Sequence, residues 1–259
     1  MTLVTEMAAL IRPRTPGGDP RELPGLGFPE VEPFLAACEK GVPLGALELS
    51  EIAAVCEIAS AARRFFENKG DDRGDGLVPA ARVWDLAATL DPHEEIAHRV
   101  RLTFDAAGQV RDSVSPELAR LRAERDHLSV KVREEIEHLM RSEEFAPHLQ
   151  DEFVTLRGDR YVLPLKASSK SLGLGIVHDE SRTGETVFVE PTVVVGLNNR
   201  LKVAELSITR ETRRILEEIS RRVAEAAPAI RRNLETLTAL DVIAAKARFS
   251  VQVRGEPVN

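Results

Sequence analysis

Two long stretches of this chain keep helical periodicity without a breaker, and a short stretch patterned as β-strand lies between them. From Glu117 to Ala146 there is neither glycine nor proline, and Ser115-Pro116 supplies a capping serine with proline at the first helical position. The apolar seam Leu118, Leu121, Leu128, Val132, Ile136 and Leu139, interrupted by Arg125, advances in threes and fours. That is a coiled-coil register over about 30 residues, or ~45 Å. From Pro191 to Ala227 the only glycine is Gly196, and Leu197, Leu201, Ala204, Ile208, Ile215, Ile219, Val223 and Ala226 repeat the pattern around Glu211. Pro228 is expected to end or kink this helix, and Ala229 to Ser250 reads as one more. Each seam needs a partner, and the simplest partner is the other seam. The pair must be antiparallel, because a parallel pair would oblige the insert to run back ~45 Å along the helices.

The insert reads as two hairpins. Phe153 to Arg157 and Arg160 to Leu165 flank Gly158-Asp159, a two-residue turn signal. Pairing across it sets Arg157 opposite Arg160 and Leu156 opposite Tyr161. Opposed like charges require an anion between them, either Asp159 or a phosphate. Ser168-Ser169-Lys170-Ser171 then reads as a flexible basic loop, either solvated or in contact with a phosphate backbone. The second hairpin is expected from Gly175 to Glu180 and from Glu185 to Glu190, around Ser181-Arg182-Thr183-Gly184. Loops of two or four residues have the same parity, so His178 should share a face with Val187 and Val189, and Asp179 with Phe188. On that pattern His178 and Asp179 diverge. Glu180, on the His178 side, adds only a second group, and an acid/base or metal centre needs convergent ligands. No catalytic and no metal-ligating residue is expected.

The first part of the chain is helical by pattern, with helices from Pro29 to Lys40, Ser50 to Asn68, Pro79 to Leu90 and Pro92 to Phe104. Breaker-rich loops are expected at residues 12 to 28 and from Gly70 to Gly76. Cys38 and Cys56 have neither CxxC nor His spacing and read as buried small apolar residues of a reduced, cytoplasmic protein. No apolar run reaches the ~20 residues of a membrane span, and Met1 to Glu6 lacks a secretory pattern, so no membrane contact is expected. The formal net charge is −7, with acid concentrated early: residues 1 to 110 carry 11 basic and 18 acidic side chains, residues 192 to 259 carry 12 and 8. This balance excludes a protein that simply coats nucleic acid while leaving a local basic surface open. Arg210, Arg213, Arg214, Arg221 and Arg222 on the second long helix read as a solvated face or a binding stripe. No GxxxxGK[ST] loop occurs, so ATP has no seat in this chain and no cofactor is expected.

The runs "VTLRGDRYVLPLKA" and "GIVHDESRTGETVFVEPTVVVGLNNRL", with "SPEL" at Ser115 to Leu118 and "LDVIAAKARFS" at Leu240 to Ser250, resemble the second bacterial branch of the MutS family, MutS-II. The likeness covers most of residues 30 to 250. It implies a core, a lever and a clamp, the clamp being a β-rich tip that closes over a nucleic-acid backbone. It also implies a homodimeric ATPase using ATP and Mg, and commonly an Smr endonuclease, in parts of the longer protein that this chain lacks. The two activities implied for the intact family are binding of branched or recombining DNA to limit homologous recombination, and engagement of stalled, collided ribosomes. The tip differs from the family in carrying Arg182 and Glu185 where small residues are usual; Arg182 either reaches phosphate or pairs with Glu185.

The expected fold is therefore mostly α with a small β insert: a helical core subdomain and a long antiparallel helical arm carrying a β-rich clamp at its tip. The boundaries are 1–110 for the core, 111–150 for the first lever helix, 151–190 for the clamp and 191–259 for the second lever helix with its return to the core. The nucleic-acid-binding candidates are Arg157, Arg160, Lys166, Lys170, Arg182 and Thr183. The competing reading is a structural coiled-coil arm for protein contact or dimerisation, with no direct nucleic-acid contact.

Overall fold

A computed structural model describes residues 2–11, 23–67 and 81–253. In chain order the elements are α1 (Leu3–Ile11), α2 (Glu32–Glu39), α3 (Ala46–Glu67), α4 (Ala81–Ala88), α5 (Glu94–Thr103), α6 (Pro116–Met140), β1 (Thr155–Arg157), β2 (Arg160–Lys166), β3 (Gly175–Glu180), β4 (Thr186–Pro191) and α7 (Thr192–Gln252). The protein is mostly helical with one small antiparallel sheet, as expected. The loop from Gly70 to Gly76, and residues 12–22 of the first expected loop, lie outside the described residues.

The chain forms two compact units, Met1–Arg111 with Arg214–Asn259, and Asp112–Arg213. In the first, Met7, Phe66, Val83, Leu237, Leu240 and Ala244 share one core. The short α1, absent from the sequence reading, earns its place through two contacts. Met7 is fully buried, and the buried Glu6 carboxylate accepts from the backbone N–H of Arg82 and Val83, satisfying free donors at the start of α4. Arg231 on α7 grips Glu32 and Glu39 at either end of α2, each through two nitrogens. Asn233, 1% exposed, accepts from the Asp91 N–H at 2.8 Å and donates to the Asp91 carbonyl at 2.5 Å. Cys38 and Cys56 are buried as expected, and burial pushes the Cys56 thiol up to about 12, which keeps it protonated and unreactive.

In the second unit α6 and the first part of α7 run antiparallel. The Ser115 hydroxyl donates to Glu211 and accepts from the Leu118 N–H, so one side chain caps α6 and ties it to α7. Towards the other end Leu128, Val132 and Ile136 share a core with Val194, Leu201 and Ala204. The α6 seam is buried at Leu118, Leu121, Leu128, Val132 and Ile136 and half-buried at Leu139.

Two helix limits differ from expectation. α6 stops at Met140 because Ser142 competes for backbone groups: its hydroxyl donates to the Leu139 carbonyl and accepts from the Phe145 N–H, turning Phe145 into the core. Conversely, Pro228 does not end the second helix; α7 runs 61 residues through it. Pro228 is exposed and leaves the Ala224 carbonyl without its helical donor, while Val223, Ala227 and Ile230 are fully buried and hold the helix on both sides. An exposed proline inside a helix remains costly relative to alanine, so Pro228→Ala should stabilise the first unit by up to ~3 kcal/mol. Urea unfolding followed through Trp84, the only tryptophan, checks this, and an unchanged midpoint would show that the helix has already relaxed around the ring.

Candidate nucleic-acid interface

The sheet order is β1-β2-β4-β3, antiparallel throughout. Gly158 and Asp159 both have positive φ, 54° and 62°, giving the primed turn that a two-residue hairpin requires. Thr155↔Val162, Leu156↔Tyr161 and Arg157↔Arg160 pair as expected. Tyr161, Leu163 and Leu165 of β2 and Val187 and Val189 of β4 face the core. By alternation Arg157, Arg160, Phe188 and Glu190 lie on the opposite face.

At the second hairpin the near-turn pairs Asp179↔Phe188 and Glu180↔Val187 keep the expected parity. A β-bulge between Val177 and Asp179 then changes it. The expected pairing of His178 with the Val187 and Val189 face is therefore overturned. His178 is the extra residue and turns to the far face, where its Nε2 lies 2.6 Å from Glu190 Oε2. Beyond the bulge Gly175 packs against β4 so closely that a Cβ would sit 2.0 Å from the Glu190 carbonyl oxygen, which only glycine permits.

Glu190 is the centre of the far face. Its carboxylate is fully buried and accepts from Arg160 Nη1 at 2.9 Å, from Asn198 Nδ2 at 2.8 Å and from His178. Burial alone would raise its pKa, but the Asn198, His178 and Arg160 donors outweigh burial and hold the carboxyl below its ordinary 4.5. Asn198 also completes β2: its amide accepts from the Tyr161 N–H at 3.3 Å and donates to the Tyr161 carbonyl at 3.1 Å. The register would place Pro191 there, and proline has no N–H to give.

The remaining candidates are spread over the insert. Arg157 reaches across the sheet, its guanidinium 4.0 Å from the centre of the Phe188 ring and its Nε 3.2 Å from Asp179 Oδ2. Arg157 and Arg160 thus each have their own carboxylate. Asp159, one of the two anions considered for the space between them, instead pairs with Lys202 at 2.7 Å. Lys170 pairs with Glu180 at 3.1 Å, and Lys166 Nζ donates to the Pro147 carbonyl at 2.9 Å. The stretch expected as a flexible loop is a 3-10 segment, Ala167–Leu172, pinned by buried Ser169 against His148 Nδ1 at 3.1 Å. At the second turn Gly184, with φ 72°, closes onto the Ser181 carbonyl, and the Thr183 hydroxyl lies 3.4 Å from that of Ser181. Arg182 is exposed there with no partner among the described residues, so it does not pair with Glu185. On α7, Arg221 and Arg222 are engaged by Glu225 and Glu218 along the helix.

Sequence reasoning missed Glu190 and Asn198. The available signals were a carboxylate directly before the strand-ending Pro191 and an Asn-Asn pair inside an apolar helix.

Because the folded-state pKa of Glu190 is depressed, its contribution is fully present above about 4.5 and is lost as pH falls through the lower folded value. Glu190→Gln leaves Arg160 without its counter-ion and should cost about 3 kcal/mol at neutral pH, with the deficit shrinking in acid. Urea unfolding at pH 7 and pH 3, followed by 19F-labelled Tyr161, the only tyrosine, reads this out. A deficit equal at both values would count against the linkage.

No protein-family model matches the chain. Three curated relatives, each called Endonuclease MutS2, are similar to nearly all of it. The one from Geobacillus thermodenitrificans is 35% identical over 224 residues, covering 86% of this chain and 28% of the relative. That from Lactiplantibacillus plantarum is 31% identical over 255 residues, 96% of this chain and 32% of the relative. That from Halothermothrix orenii is 30% identical over 230 residues, 88% of this chain and 29% of the relative. The chain thus spans about a third of the length of the curated relatives it matches.

Proposed function

Because the chain belongs to the MutS2-type branch of the MutS family, we propose that it is the non-catalytic core, lever and clamp through which a dimeric ATPase encloses nucleic acid. The lever is α6 with α7, and the clamp is the β insert. Its target is a phosphate backbone, either branched DNA undergoing recombination or the RNA of a stalled ribosome. ATP hydrolysis and any nuclease activity belong to other parts of the longer protein.

The observation that carries this reading is the state of Arg182. Of the five basic candidates it alone has no partner among the described residues, and it projects from a turn whose neighbour Thr183 offers a hydroxyl. Arg157, Arg160 and Lys170 are held by Asp179, Glu190 and Glu180, and act first as struts of the sheet. Between Asp151 and Glu190 seven acidic side chains outnumber five basic ones. Attraction at long range is therefore weak, and the grip is made at contact distance. The acidic balance, with Leu172 and Ile176 half exposed nearby, favours a second reading in which the insert meets a protein surface.

Fluorescence anisotropy with a four-way DNA junction and with ribosomes, over a range of salt, separates the two. Arg182→Ala should weaken binding and reduce the slope of log K against log salt by about one, with thermal unfolding unchanged. If Arg182→Ala binds as the parent does at every salt concentration, the phosphate grip is wrong and the protein-contact reading stands.

A further inference from the structure

Away from the turn, a cleft of about 1020 Å³ opens between the C-terminal half of α6 and the segment leading into β1. Its apolar wall is Met140, Phe153 and Leu156, and the last two are 49% and 50% exposed, large for side chains with so much apolar surface. Arg133, itself exposed, lines it with its guanidinium 5.5 Å from the centre of the Tyr161 ring and its Nε 3.4 Å from the Tyr161 hydroxyl. Glu137, Arg141 and Glu152 also line the cleft; the side chains of Arg141 and Glu152 have no ion-pair or hydrogen-bond partner among the described residues, and Glu137 interacts only electrostatically with Arg133. The contrast with the far face of the sheet is direct, since there Arg157, Arg160, Asp179 and Glu190 are all engaged with one another or with neighbours.

We infer that this cleft receives an unpaired nucleotide of a nucleic-acid strand, an inference that rests on the nucleic-acid reading above. A base has a π-face for Phe153, and its ring N–H and exocyclic amino groups suit the carboxylates of Glu137 and Glu152. Its phosphate suits Arg141. A ligand carrying donors, an anion and a flat apolar face meets each charged and apolar group that lines the cleft. An extended peptide added to the sheet would use β1 instead, but β1 is three residues long and its Leu156 carbonyl already accepts from Arg157 Nη1 at 2.9 Å. The preferred substrate is consequently a backbone that offers unstacked bases, such as a gap, an overhang or an open junction, over continuous duplex.

The test compares a blunt DNA duplex with the same duplex carrying a five-nucleotide single-stranded overhang. The chain should bind the overhang substrate more tightly, by about fivefold or more. Phe153→Ala should abolish that preference and leave blunt-duplex affinity unchanged, and Arg141→Ala should reduce it. Both side chains are exposed, and an unchanged thermal unfolding curve confirms that the variants remain folded. Equal parental affinity for the two substrates, or a Phe153→Ala effect of the same size on both, overturns the inference while leaving the Arg182 grip in place. No binding of either substrate at low salt overturns both.

Discussion

One helix has to serve two cores, and the rest of the structure follows from how α7 is fixed to each. Apolar seams along a long helix are nearly self-similar and tolerate sliding by a heptad, so packing alone specifies register weakly. Buried asparagine removes the ambiguity in both units. Asn198 holds the N–H and the carbonyl of Tyr161, and Asn233 holds those of Asp91. In each case a side-chain amide imitates the peptide group that a neighbouring strand or turn would have supplied. At Tyr161, which is buried, a slip would leave the asparagine and two backbone groups without partners, at a cost of about 1–3 kcal/mol for each. Asn198 thereby sets where the strands meet the helix, since the same amide also reaches Glu190.

Glu190 explains why a sheet with several arginines is not a basic surface. A fully buried carboxylate is tolerated only when its acceptor sites are filled, and the three donors that fill them come from β2, β3 and α7. Charge is thereby spent on holding the strands together. Two basic side chains stay outside these pairs, Arg182 where the backbone turns away from the sheet and Arg141 in the gap between α6 and β1.

The parts of this fold legible in the sequence are those set by periodicity. Both seams, the Gly158-Asp159 hairpin and its register, and the buried cysteines follow from spacing and turn chemistry that act within a few residues. The parts that were not legible depend on partners far along the chain. The bulge at His178 forms because Glu190, twelve residues on, draws the imidazole to its own face. Pro228 is tolerated because residues around it are buried in a core assembled from distant helices. The six basic or hydroxyl candidates could be named from the sequence, but their state of engagement could not, since ion pairing is decided by which carboxylates the topology delivers.

The bulge has a consequence for how this segment can vary in length. β3 carries one residue more than β4 needs opposite it, and that residue is His178. Deleting it would bring Val177 and Asp179 into an unbroken ladder with Val189 and Phe188, and no other side chain would change faces. Along most of a strand the loss of one residue inverts everything beyond it; here the arithmetic of alternation is already interrupted, and the only thing forfeited is one of the donors to Glu190. In the vocabulary of alignment, this is a position where a gap is nearly silent for packing and audible only in electrostatics.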